Sequence, residues 1–337
     1  MKTIKLFTFF LLILLQAAAQ QPAIKILETG KKISLRGLSV VDDHIIWASG
    51  SKGSVAKSLD GGQSWTWISV PGYEQRDFRD IEAFDKNTAM VMAVAEPGVI
   101  LKTKDGGNSW MKVFEDSTKG MFLDAMDFVN DSIGVVIGDP IQSILFAAGT
   151  IDGGDHWFPR NPIALNKGEA FFASSGTNIK LLKERKFNHL RSFMVSGGKS
   201  ARLFIGFGQQ IVNLPISQGL ESTGANSIDV FNNKIVVVGG DFTKDTINKN
   251  NCVLVSLKNK VHVTTPATPP HGYRSCVIYL DEYTLLTCGT SGIDISTDGG
   301  KNWQLISKES FHVCQKAKKG KSVFLAGGNG RIARLVY

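Results

Sequence analysis

Apolar residues recur along this chain in short runs, each closed by small residues and separated from the next by a polar turn. "IIWASG" begins at 45, "AMVMAV" at 89, "IGVVIG" at 133 and "RSFMVSGG" at 191. "KIVVVGG" at 234, "YTLLTCG" at 283 and "SVFLAGG" at 322 complete a set of seven. None carries the 3.6-residue periodicity of an amphipathic helix, and β-branched and aromatic residues fill them, so they predict strands. Around each run lies a longer unit: an apolar strand before it, a polar turn, and a third strand after it. Seven units of roughly 40–50 residues predict an all-β chain folded as a seven-bladed β-propeller. The ends fit a closed ring. The last unit, "SVFLAGGNGRIARLVY", stops after its third strand, and an orphan strand, "AIKILETG" at 23–30, opens the chain. That strand is expected to complete the last blade from outside and so remove an open edge. Residues 21–337 then form one propeller domain.

A second repeat is superimposed on the first. "SLDGGQSW" at 58–65 returns as "TKDGGNSW" at 103, "TIDGGDHW" at 150 and "STDGGKNW" at 296. Each falls where the third strand of a unit would turn into the fourth. The aspartate can accept backbone N–H bonds within its own turn, and the glycines supply positive φ. The tryptophan can fold over the turn while its N–H finds a carbonyl. Asp60, Trp65, Asp105, Trp110, Asp152, Trp157, Asp298 and Trp303 are therefore read as structural.

Residues 1–20 read as a secretory signal peptide. Lys2 and Lys5 precede the apolar "LFTFFLLILL", and "QAAAQ" offers a cleavage site near Ala19 or Gln20. The mature chain is expected to be secreted or periplasmic, with no membrane span. The whole chain has 38 Lys+Arg against 30 Asp+Glu; losing Lys2 and Lys5 leaves an excess of six, spread along the chain. That excess does not mark a nucleic-acid binder. Cys252, Cys276, Cys288 and Cys314 lack zinc spacing and are read as buried thiols or one or two disulfides, with the pairing open. No metal or cofactor is expected.

Candidate chemistry gathers in the loops that lead into each first strand, which in a propeller share a face with the second-to-third connections. The inbound loops carry Arg36, Arg79, Asp80, Asp124, Glu169, Asn226, Tyr273, Arg274 and His312. The other connections add Glu96, Asp139, Lys199 and Asp241. Charges converging on a channel mouth are costly to desolvate without partners. They either form a pocket in which Arg36, Arg79 and Arg274 hold a carboxylate or other anion, or pair with one another and plug the mouth. "GGKS" at 197–200 lacks the first glycine of a phosphate loop, position 193 being Phe.

The eight-residue motifs resemble the Asp-box, or BNR, repeat, which in sialidases and other propellers lies opposite the active site. The whole mature chain resembles the photosystem II stability and assembly factor family, in its non-photosynthetic bacterial form. The stretches that carry this are "FRDIEAFD" at 78–85 with "PGVILKTKDGGNSW" at 97–110, "FLDAMDF" at 122–128 with "GDP" at 138–140, and "GYRSC" with "DISTDGGKNW". Photosynthetic members are assembly chaperones that bind a membrane-protein partner partly through an arginine-bearing face. The resemblance implies a binding or assembly scaffold. The chain departs from the family by lacking the Asp-box in its fourth and fifth blades, and nothing in it implies a photosystem. The partner expected at the polar face is therefore a protein, peptide or anionic glycan of unknown identity. Bacterial relatives are also loosely labelled oxidoreductases, but the chain has no dinucleotide fingerprint, no CxxC and no haem motif. The enzymatic alternative is a sialidase-like glycoside hydrolase. There Arg36, Arg79 and Arg274 would imitate the arginine triad, Tyr273 the nucleophile, and Asp80 or Glu169 the acid.

Overall fold

The computed structural model describes residues 21–183 and 190–337, so the expected signal peptide lies outside the described residues. Seven antiparallel sheets surround a central channel. Strands are lettered a to d from the axis outward. Blade one is Leu35–Val40, Ile46–Gly50, Ser54–Ser58 and Thr66–Ser69. Blade two runs from Phe78–Ala83 to Met111–Asp116, blade three from Leu123–Phe128 to Phe158–Pro159, and blade four from Ile179–Lys183 to Gln210–Asn213. Blade five runs from Thr223–Phe231 to His262–Thr264 and blade six from Cys276–Tyr279 to Gln304–Ser307. Blade seven holds Val313–Lys316, Val323–Ala326 and Ile332–Val336, and its d strand is Ala23–Glu28. Ala23 pairs with Val336 and Ile26 with Ala333, so the ring closes as the sequence predicts.

Each b strand lies between two neighbouring blades, which is why its apolar run is continuous instead of alternating. Ala89–Ala93 is buried at every residue. The core is therefore a circle of apolar layers. Trp47 of blade one is fully enclosed beside Phe78, Ile81 and Val91 of blade two, and its Nε1 donates to Asp85 O at 3.1 Å.

The a strands present a further problem. Their axial edges have backbone N–H groups with no next strand to receive them, and buried unpaired donors are costly. Short polar side chains on the a strand of one blade solve it for the next. Ser39 Oγ accepts from Ala83 N at 3.0 Å, Asp80 Oδ2 from Met126 N at 2.7 Å and Asp127 Oδ2 from Leu181 N at 2.5 Å. Ser227 Oγ accepts from Val277 N at 3.0 Å and Asp229 Oδ2 from Tyr279 N at 2.7 Å. Polar residues inside apolar strands thus stitch blade to blade.

The Asp-boxes occupy the c–d turns of blades one, two, three and six. In the first, Asp60 Oδ1 accepts from Gln63 N and Ser64 N, both at 2.9 Å, and from Ser58 Oγ at 2.8 Å. Gly61 and Gly62 have φ of +74° and +86°, values that a side chain resists. Trp65, Trp110 and Trp303 donate Nε1 to the carbonyl of the second glycine, at 3.2, 3.2 and 2.9 Å. Trp157 makes no such bond and packs edge-on to Phe128 instead. Hydrogen bonds from Ser64 and Ser58 hold the Asp60 carboxyl down to about 2, and Ser109 and Thr103 do the same for Asp105. A lysine ties successive boxes together. Lys57 Nζ reaches Gly106 O at 2.6 Å, and Lys102 Nζ reaches Gly153 O and Asp155 Oδ1, each at 2.7 Å. Gly149 and Ile295 hold the equivalent positions in blades three and six, whose following blades carry no box.

The four cysteines are buried free thiols. Among the described residues no cluster of potential ligands suits a metal ion, and no helix is long and apolar enough to cross a membrane.

Candidate functional site

On the face opposite the Asp-boxes, the d–a and b–c loops surround a cavity of about 650 Å³. Arg36, Arg79, Asp139, Glu169 and Tyr273 line it, as do Asn226 and His312. Arg36, Arg79 and Asn226 lie in the first half of an a strand, Tyr273 and His312 precede one, Asp139 lies near the end of a b strand, and Glu169 comes from the long loop before Ile179–Lys183; these positions converge at the axis.

Arg36 reaches in from the first a strand. Its Nη1 donates to Ser174 O at 3.2 Å, and among the described residues no carboxylate lies within ion-pair distance. Burial, then the nearby Arg79 cation, pulls its pKa below the ordinary arginine value. Arg79 lies over the Phe122 ring at 5.8 Å and pairs with Asp77, Nε to Oδ2 at 2.8 Å. Burial and the same two cations push His312 down to about 3, so its imidazole is neutral near pH 7. Burial raises Asp139, which accepts from Phe171 N at 3.0 Å.

Other members of the predicted set are committed elsewhere. Arg274 is fully buried and does not line the cavity. It binds Asp294 through Nε at 2.7 Å and through Nη2, while Nη1 serves Tyr273 O and Ser291 Oγ at 2.8 and 2.7 Å. Asp80 sits below the mouth in the inter-blade stitching, accepting from Ile81 N and Met126 N. Asp124 is enclosed, and burial, then Asp139, raises it well above the carboxylate range. Glu96 and Lys199 are exposed outside the cavity, and Asp241 is tied to Thr243 in its own turn. Glu169 lines the wall with a wholly buried carboxylate. Arg202 Nε reaches both its oxygens at 2.9 and 3.1 Å, and Asn166 N and Ser196 Oγ take what remains.

The sialidase-like assembly weighed from the sequence therefore does not come together. Arg274 is withdrawn from the arginine set, Asp80 is a backbone acceptor and Glu169 is clamped. Tyr273 OH donates to Asn226 Oδ1 at 2.9 Å, and burial pushes its phenol up to about 12. Internal pairing accounts for much of the mouth: Glu169–Arg202, Arg274–Asp294 and Arg79–Asp77 are ion pairs, whereas Arg36 lines the cavity with no carboxylate at ion-pair distance among the described residues. The aromatic half of the wall was not singled out in the sequence. Phe122, Phe171, Phe172 and Phe242 line it, and their only signal is adjacency to the charged loop residues.

The profile of the family described as Photosynthesis system II assembly factor YCF48 matches residues 19–120. The solved structure of YCF48 bound to D1 peptide superposes with a TM-score of 0.65 at 17% identity, over 93% of this chain and 95% of that one. The chain is a BNR β-propeller resembling the photosystem II assembly factors. YCF48 from Cyanidioschyzon merolae gives the propeller a TM-score of 0.64 at 16% identity, covering 93% of this chain and 98% of that one. The GH74 enzyme of Niastella koreensis gives 0.64 at 12%, but this propeller spans only 53% of it. No curated protein matches in sequence. At these identities the structural likenesses establish the fold.

Proposed function

We propose that this propeller is an exported binding or assembly scaffold whose channel mouth, centred on Arg36 and Arg79, holds an acidic group of a peptide or protein partner. The observation that carries this is Arg36: a largely enclosed guanidinium with five donors that has, among the described residues, one bond to a backbone carbonyl and no carboxylate partner, held beside a second arginine. Asp77 offsets the charge of Arg79, which leaves Arg36 as the enclosed cation without a carboxylate of its own, and a guanidinium suits a carboxylate well. The structural likeness to YCF48 bound to D1 peptide supports a peptide as the occupant. The signal-peptide pattern at residues 1–20 supports export.

The test is binding of the mature protein to an array of short peptides, beside an Arg36→Gln/Arg79→Gln variant of equal thermal stability. Binding should concentrate on acid-containing peptides and disappear in the variant. An array pattern identical for both proteins sinks the proposal. Turnover of an aryl sialoside that Asp139→Asn abolishes would replace it with a hydrolase.

A further inference from the structure

The mouth is divided by chemistry. Arg36, Arg79 and His312 come from blades one, two and seven. Phe122 of blade three lies under Arg79, while Phe172 and Phe242, from the loop into blade four and from blade five, form a separate apolar wall. That wall is a connected surface. Phe172 and Phe242 meet edge to face with centroids 6.2 Å apart, and Phe242 meets Tyr273 at 6.4 Å. Phe242 is 47% exposed. A half-exposed aromatic on a concave wall is apolar surface awaiting cover.

Building on the proposed anion site, we infer that the cavity recognises a bulky apolar side chain immediately beside the acidic one: an aromatic or large aliphatic residue seated on Phe172 and Phe242, its neighbouring carboxylate on Arg36. An anionic sugar would need free polar groups to read its hydroxyls. Several of those beside Phe172 and Phe242 are occupied with one another. Ser174 Oγ and Tyr273 OH both donate to Asn226 Oδ1, at 3.0 and 2.9 Å, and Glu169 is held by Arg202. Asp139, Glu221 and His312 also line the cavity, but its phenylalanine wall and its arginines are the surfaces that a two-residue apolar–acidic step in a peptide would engage. The volume of about 650 Å³ lies within the range of sites that enclose ligands of that size.

The experiment is calorimetric titration of the mature protein with three capped tetrapeptides, Gly-Phe-Asp-Gly, Gly-Ala-Asp-Gly and Gly-Phe-Asn-Gly, and with glucuronic acid. Gly-Phe-Asp-Gly should bind about tenfold more tightly than either of the other two peptides, the scale expected for covering one aromatic side chain or losing one charged contact. Phe242→Ala should bring the Phe-Asp and Ala-Asp peptides together, and Arg36→Gln should bring the Phe-Asp and Phe-Asn peptides together. If the Phe-Asp and Ala-Asp peptides bind the native protein equally while Asp still beats Asn, the apolar subsite is refuted and the anion site stands. Equal binding of the Phe-Asp and Phe-Asn peptides refutes the anion site itself. Glucuronic acid binding as tightly as the Phe-Asp peptide overturns the peptide reading, and no heat from any of the four overturns both.

Discussion

Replacing Arg274 with methionine separates its two possible roles. In the structure its guanidinium is fully buried and makes four bonds: two to Asp294, one to Tyr273 O and one to Ser291 Oγ. Asp294 is equally buried, so the substitution leaves a carboxylate in the interior whose one remaining partner among the described residues is His271, through Nδ1 at 2.6 Å and the backbone N at 3.3 Å. Breaking one side of a buried ion pair costs about 3–5 kcal/mol. The surviving His271 contact puts Arg274→Met at the lower end, about 3 kcal/mol. Urea unfolding followed by tryptophan fluorescence should show a lowered midpoint with an unchanged slope. Removing both charges in Arg274→Met/Asp294→Leu should recover most of the loss, since an apolar pair of similar volume carries no stranded charge. Arg36→Gln in the same assay should cost under about 1 kcal/mol, because only one 3.2 Å bond to a carbonyl is lost. The reasoning fails if Arg274→Met unfolds like the native protein but loses peptide binding.

Lys102→Met should destabilise by about 1–3 kcal/mol in the same unfolding assay, because Gly153 O loses its buried donor and Asp155 one of its two lysines; an unchanged midpoint would mean the lysine tie between boxes is dispensable. Hydrogen bonding holds Asp60 and Asp105 at about 2 in the folded state, below their unfolded values near 4. The stability they supply is therefore complete above pH 4 and lost as pH falls from about 4 toward 2. Asp60→Asn should flatten that part of an acid-unfolding curve, and a curve of unchanged steepness would count against the assignment.

The ring was legible in the sequence because its signals are local and repeated. Seven apolar runs mark seven b strands, and the orphan "AIKILETG" announces its partner by having none of its own. The Asp-box turns were equally legible, since aspartate, paired glycines and tryptophan each answer one demand of a single hairpin. The mouth was legible only as a list. Which charges face the cavity depends on partners far away along the chain, and nothing near Arg274 announces Asp294, nor anything near Glu169 announces Arg202. Asp80 looks like a mouth acid in sequence, but its carboxylate serves a backbone group of the next blade, as Asp127 does one blade on. The phenylalanine wall escaped for the opposite reason: in a chain rich in buried aromatics, Phe122 and Phe242 look no different from core residues.

The composite seventh blade also sets an order in time. Ile26 pairs with Ala333, so the strand made first waits for the strand made last. Until then a growing chain holds at most six complete blades, with the outer edge of Ile332–Val336 still to be made and a stray strand at its other end. Such a separation in sequence slows closure, because nearly the whole chain must be ordered before the contact can form. An unclosed ring offers a bare strand edge to any similar chain beside it. A second copy could therefore lend its own first strand to the vacancy, giving linked rings in place of separate ones. The hazard is greatest when many chains finish synthesis together, and it vanishes once each ring has taken up its own beginning.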